Sequence, residues 1–421
     1  MNRRAGTPRS VSDRSKKGNE GVKKRIGILT GGGDVPPLNT IIAAAAAEAA
    51  SHSVELLGFV RGWKGVLEKE WISLPERALY SQIGGTILKS SRVNLAKTDG
   101  GPERAVRNLE KLGVAGLIVV GGEDTLSNAF LLGSFPQVLI SKTIDNDVGR
   151  IEGGGDFEPS RIFNYFTLGY PTAADKIASF VSFQEGLRTT AYSHERIMIV
   201  ESMGMHAGWL ALASGLGHPD FIIIPEFPVA YAILLEKIID RYKKQGHVIV
   251  VVAEGAKWDD GSYVHAEKDE LEGFDHPRFG GAAAAVVEKL KKDIQGRFDT
   301  RNINAVNPSY LYRSGAPNSV DKKAAEILGE KAVRLLAGRV EEPTFLHIQK
   351  KVRGFAAIPT PLSTFRSIED LHRFVDRRFY DPEELAMTDT ARRYLGEFVK
   401  DRPSPKNYGL NLLGGKNRGT R

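Results

Sequence analysis

Short apolar runs alternate with helix-like stretches along most of the 421-residue chain. Ile26–Thr30 is an apolar run closed by Gly31, Gly32 and Gly33, the pattern of a buried strand that ends in a tight turn. The Ala-rich stretch Asn39–Ala50 has no Gly or Pro and predicts a close-packed helix. Val54–Val60 reads as the next strand, and Pro102–Gly113 as a helix closed by glycine. Ala115–Val120, running into Gly121 and Gly122, and Pro136–Ser141 are again strands. The second half repeats the style, with strands at Arg196–Glu201, Phe221–Ile224 and His247–Ala253 separated by helices. This alternation predicts βαβ units and mostly parallel sheets covered on both faces. The expected fold is α/β: two Rossmann-like three-layer lobes with the active site in the cleft between them, where ligands meet the carboxyl ends of strands.

Charge changes this picture only at one end. The net charge is +7, and residues 1–25 hold nine Lys/Arg against two acids, so the rest of the chain is balanced. The basicity belongs to a Ser/Gly/Arg/Lys tail, residues 1–23, expected to be disordered and to bind no nucleic acid. Residues 401–421, rich in Gly, Asn, Lys and Pro, read as a second flexible tail. Apolar residues make up 41% of the chain and charged ones 26%, ordinary for a globular protein. No apolar run approaches the roughly 18 residues of a membrane span. The start lacks the apolar core of a secretory signal, so a cytoplasmic location is expected. The absence of cysteine excludes disulfides, zinc–thiolate sites and a cysteine nucleophile.

Three of the strand ends carry chemistry. In TGGGD (Thr30–Asp34) the glycines free backbone N–H groups to face an anion at a helix start, although a tight turn explains the run equally well. It lacks the Walker A Lys-Ser/Thr and does not match GxGxxG. GGEDT (Gly121–Thr125) repeats the arrangement, and Asp124 or Thr125 would also serve as a helix N-cap. SKTIDND (Ser141–Asp147) places two carboxylates around an Asn, with Lys142 three residues before the first. Such carboxylates suit a general base and a Mg²⁺ site, and the lysine suits a transferring phosphoryl group; an Asp-rich turn is the plain alternative. Joint occurrence on neighbouring strands favours one polyphosphate site.

The segments LTGGGDVPPLN, GGTILKSSR, GGEDT, KTIDND, RIMIVESMGMHAGW, AEG and PSYLYRSGAP, in this order, resemble the phosphofructokinase family over roughly residues 24–338. The resemblance implies Asp145 as the base that takes the proton of a sugar 1-hydroxyl and Asp147 as its companion. It implies Glu123 at Mg²⁺, Arg92 at the transferred phosphoryl group, and Gly32 and Gly33 at the donor phosphates. Met203, Gly204 and Glu254 would cradle the sugar, with Thr143, Tyr310 and Arg313 completing the sugar-phosphate site. Arg196 would reach a neighbouring subunit's site, which implies a homodimer or homotetramer. A donor lobe of residues 24–163 plus about 312–345, and a sugar-phosphate lobe of 164–311 plus about 346–400, would follow.

The donor is expected to be pyrophosphate, with fructose 6-phosphate as acceptor. Asp124 stands where ATP-using members typically have glycine and would crowd and repel a nucleotide's α-phosphate. Lys142, and the tyrosine of PSYLYR, also resemble the pyrophosphate-dependent branch. The chain departs from the family at Met205, Asn304 and Lys89, losing two cations and gaining one. ATP, another acceptor such as sedoheptulose 7-phosphate, or a non-catalytic sugar-phosphate-binding role are the alternatives. Residues 149–166 look longer than the family's usual connection and could form a lid.

Overall fold

The computed structural model describes residues 23–404 apart from 76–79, 154–156, 273–275, 280, 298 and 339–341. The basic tail up to residue 22 and the stretch 405–421 lie outside the described residues.

The first half supplies β1 (Arg25–Thr30), β2 (Glu55–Phe59), β3 (Trp71–Ser73), β4 (Val114–Gly121) and β5 (Gln137–Thr143). The second supplies β6 (Ile197–Ser202), β7 (Phe221–Ile223), β8 (Val248–Ala253) and β9 (Ile303–Val306). Two further strands follow, β10 (Thr344–Lys350) and β11 (Phe355–Pro361). The larger sheet runs β11-β10-β5-β4-β1-β2-β3, parallel except for β3 and β11 at its two edges. The smaller sheet runs β7-β8-β6-β9 and is parallel throughout. The strands predicted from apolar runs match these to within a residue or two at each end. Their central residues are buried, as expected for strands covered on both faces.

Helices α1 (Leu38–Ser51), α2 (Gly101–Lys111), α3 (Glu123–Phe130), α4 (Tyr170–Val181), α5 (Tyr231–Gln245), α6 (Ala282–Ile294) and α7 (Ser319–Ala337) cover the sheets. The alanines of α1 serve close approach to α7. A Cβ at Gly329 would lie 2.7 Å from the Ile41 carbonyl oxygen and 3.2 Å from the Ala44 Cβ.

Three sequence expectations change here. Strands β10 and β11 both belong to the larger sheet, so a division at 345/346 would cut through β10. Its Phe345, Leu346 and Ile348 are core residues, and Thr344 and Phe345 pair with β5. Segment 149–166 is not a free lid in its described part. Arg150–Ile151 pairs with Ile162–Phe163, and Ile162, Tyr165 and Phe166 are buried, because these apolar side chains fill the core between the sheets. Nor does a flexible tail begin at residue 401: Arg402 is buried, 2.7 Å from Asp175 and 3.3 Å from Glu185. Among the described residues, no helix is long and apolar enough to cross a membrane.

Candidate active site

The turns after β1, β4 and β5 lie side by side, because these strands are neighbours in the sheet. Gly31 N–H donates to the Val120 carbonyl at 3.0 Å, tying the first turn to the second strand. Thr125 is wedged between the two turns. A Cβ on Gly31 would meet its Oγ1 at 2.4 Å, and one on Gly121 would meet its Cβ at 2.3 Å. The Trp63 indole N–H holds the Thr125 carbonyl at 3.0 Å. The glycines at these positions are therefore required by contact.

Lys142, 3% exposed, sends its ammonium into the notch between the same turns. Its Nζ lies 3.0 Å from a Cβ built on Gly32 and 3.7 Å from one built on Gly122. Arg313 comes in from the other side, its Nη1 2.4 Å from a Cβ built on Gly33. The guanidinium expected at the sugar phosphate thus lies against the first glycine turn. Burial, and then Arg313, pull Lys142 down to about 8. Helix α3 takes Gly122 as its N-cap, with Glu123 and Asp124 in its first turn and no side-chain cap bond. Asp124 is therefore not an N-cap, and Thr125, buried at the wedge, is not one either.

Asp145 and Asp147 flank Asn146, which has a left-handed φ of 56° and is fully buried. The Asn146 amide donates to the Tyr394 hydroxyl at 3.0 Å, and its carbonyl oxygen accepts from Thr167 N–H at 3.1 Å. The Thr143 hydroxyl accepts from Asp145 N–H at 3.0 Å. One oxygen of each carboxylate is buried with no hydrogen-bond partner. Burial first, and then Asp147, push Asp145 up to about 7. Burial also raises Glu123, whose carboxylate is 3.2 Å from His372.

One cavity collects Gly32, Gly33, Glu123, Asp124, Thr125, Lys142, Thr143, Asp145, Asp147 and Arg313. Met205 and His206 close it from the smaller-sheet side. Just before them, Gly204 (φ 129°) donates its N–H to the Glu254 carboxylate at 3.2 Å, which places Met203, Gly204 and Glu254 at the strand ends facing the carboxylates. Arg92 and Tyr310 line an adjoining cavity that shares Gly32, Gly33 and Arg313.

Arg196 stands apart. It precedes β6, whose far end carries Met203 and Gly204, about 20 Å away at a strand's rise of about 3.3 Å per residue. It bonds the Thr190 hydroxyl at 3.0 Å. Sequence reasoning missed Asn146, His206, His372 and Arg373. Asn146 and His206 stood inside quoted motifs without a role. His372 and Arg373 lie in a basic stretch with no periodic signal, and only the fold brings them to the site.

The phosphofructokinase family model matches residues 25–336. A pyrophosphate–fructose 6-phosphate 1-phosphotransferase of Dictyoglomus thermophilum is 35% identical over 365 residues, spanning 85% of this chain and 97% of that protein. An ATP-dependent 6-phosphofructokinase of Thermotoga petrophila is 33% identical over 355 residues, spanning 82% and 96%. Among solved structures, the pyrophosphate-dependent phosphofructokinase of Nitrosospira multiformis superposes with a TM-score of 0.72 at 21% identity, over 94% of this chain and 95% of that one. With the glycine turns, the buried carboxylates and the facing strand ends in place, the chain belongs to the phosphofructokinase family.

Proposed function

We propose that the protein transfers a phosphoryl group from inorganic pyrophosphate to the 1-hydroxyl of fructose 6-phosphate, giving fructose 1,6-bisphosphate and phosphate. The observation that supports this donor is the Lys142 ammonium between the two glycine turns, with Asp124 on the second of them. A cation there meets the phosphate that pyrophosphate presents, while Asp124 opposes the additional phosphate of a nucleotide.

Asp145 takes the proton as the sugar oxygen forms its bond to phosphorus, and the bridging oxygen of the donor leaves with inorganic phosphate. A base near neutrality suits this step. Arg92 and Arg313 offset charge on the donor, and Lys142 holds the departing phosphate. Gly204 and Glu254, joined by their hydrogen bond, orient sugar hydroxyls together with Met203, Thr143 and Tyr310.

The site fits Mg²⁺. Asp147 has a buried carboxylate oxygen without a partner, and Glu123 lines the same cavity. No cluster of three or more metal-ligating side chains occurs among the described residues. Mg²⁺ on phosphates characteristically needs only about one or two carboxylates. When bound there, the ion neutralises phosphate charge.

Specificity constants for pyrophosphate and for ATP, measured with fructose 6-phosphate and Mg²⁺, test the reading. Pyrophosphate should be preferred; a wild type that prefers ATP refutes the donor assignment.

Arg196 would complete the sugar-phosphate site of a second copy of the chain in a homodimer or homotetramer. Its position at the opposite end of β6 supports this, since it does not meet its own chain's cavity. Arg196→Ala should weaken sugar-phosphate affinity far more than donor affinity. Mixing Arg196→Ala with Asp145→Asn subunits should restore activity through hybrid sites. No recovery in verified mixed oligomers would count against sharing.

A further inference from the structure

The residue match to the family model stops at 336, yet a later segment returns to the catalytic turn. Gly149 N–H donates to the Leu371 carbonyl at 2.6 Å, Val148 bridges to His372, and Arg373 N–H donates to the Asp147 carbonyl at 2.7 Å. Residues 371–373 thus lie antiparallel along 147–149, like one more short strand.

The Arg373 side chain does more than follow its backbone. It is 3% exposed, and its partners are both oxygens of Asn146 in the turn and the backbone carbonyls of Asn164 and Tyr165. Its Nε donates to the Asn146 carbonyl at 2.9 Å, its Nη2 to the Asn146 side-chain oxygen, and its Nη1 to the Asn164 carbonyl at 2.7 Å. The guanidinium sits 5.7 Å from the Trp209 ring centroid, and the Arg373 carbonyl accepts the Trp209 indole N–H at 3.1 Å. There is no room to spare, since a Cβ on Gly149 would meet Arg373 Nη1 at 2.8 Å.

Asn146 is the residue between the two carboxylates, and its left-handed conformation decides how Asp145 and Asp147 are directed. Asparagine takes that conformation more readily than other non-glycine residues, and here its surroundings hold it there. A planar fork that grips both the backbone and side-chain oxygens of one residue fixes its orientation; an ammonium, a single point of charge, does not.

We propose that Arg373 is a positioning residue that holds the Asp145–Asn146–Asp147 turn in its working geometry, acting on phosphoryl transfer through Asn146 without touching substrate. This rests on the functional reading above. Misplacement of a catalytic group by about 1 Å can cost on the order of 10²-fold in rate.

The test uses the full-length protein with whichever donor the wild type turns over better, so it does not depend on donor choice. Arg373→Met and Arg373→Lys are each made alone and on Asp145→Asn. If Arg373→Met does not fold, Arg373→Lys carries the comparison. The expected result is a fall in kcat of about 10- to 100-fold, with KM for both substrates within about threefold. On Asp145→Asn the same change should cost less than about threefold more, because groups acting as a unit are not additive. A folded Arg373→Lys with normal kcat overturns the proposal, as does a loss that multiplies in full on Asp145→Asn, the signature of a merely structural role. Failure of the functional reading is seen separately, as full turnover in Asp145→Asn alone, and brings the proposal down with it.

Discussion

Asp145→Asn should lower turnover by about two to four orders of magnitude, the usual worth of a positioned general base. Fructose 6-phosphate affinity should be largely kept, because the amide retains the shape of the carboxylate and the strand-end groups opposite it are untouched. The wild-type pH profile carries a linked expectation. Asp145 must be ionised to accept a proton, and burial beside Asp147 places it at about 7, so kcat/KM should climb as pH rises through that value. Lys142 must stay protonated to hold phosphate, and burial places it at about 8, so kcat/KM should fall as pH rises further. The result is a narrow bell belonging to the interacting set of groups rather than to either residue alone. In Asp145→Asn the rising limb should disappear while the falling limb stays. Near-normal turnover in that variant, or an unchanged rising limb, would remove Asp145 from the mechanism.

Lys142→Gly should reduce the specificity constant for pyrophosphate by about 2–4 kcal/mol of transition-state stabilisation, roughly 30- to 1000-fold. The ammonium is buried between Gly32 and Gly122, and the variant leaves empty space where a phosphate expects a cation. Arg313, against Gly33, is the nearest remaining cation on that wall and limits the loss. Asp124→Gly removes an obstruction rather than a helper, so it should raise ATP use relative to pyrophosphate. The gain should be modest while Lys142 remains. Because Asp124 lies inside α3 and Gly122 is the N-cap, loss of a cap cannot account for a change of donor. The two variants thus move the donor ratio by different routes, one by damaging pyrophosphate and the other by admitting ATP. A ratio unmoved in Asp124→Gly would show that this carboxylate does not select the donor.

The parallel sheets were legible because strands buried on both faces must be written as apolar runs, and glycine closes them where a turn is tight. The three chemical clusters were legible for the same reason: each sits at the end of such a strand. Strands β10 and β11 were missed because β10 alternates Phe345, His347 and Gln349 with other types, and β11 carries Pro359 and Pro361 at a sheet edge, where a lost N–H is tolerated. Arg313 was singled out for the sugar phosphate, but sequence order could not show that its guanidinium turns to Gly33. Arg373 is 227 residues from the asparagine it grips, and an arginine in a basic stretch reads as a solvated surface cation. A buried guanidinium satisfied by carbonyl oxygens leaves no pattern in a one-dimensional string, since backbone oxygens are present at every position.

The Thr125 wedge has a consequence for how such a site can change. One side chain touches both glycine turns, so neither loop is a module that can be exchanged by itself. A bulkier residue at Gly31 or Gly121 displaces Thr125, and through the Trp63 indole that holds the Thr125 carbonyl the disturbance reaches the short helix Trp63–Glu68. Divergence within this architecture is therefore confined to positions that leave the wedge alone, and Asp124 and Lys142 are two of them. If Asp124 and Lys142 select the donor as proposed, single replacements there would change donor chemistry across an otherwise frozen frame, and users of different phosphoryl donors would arise among near relatives.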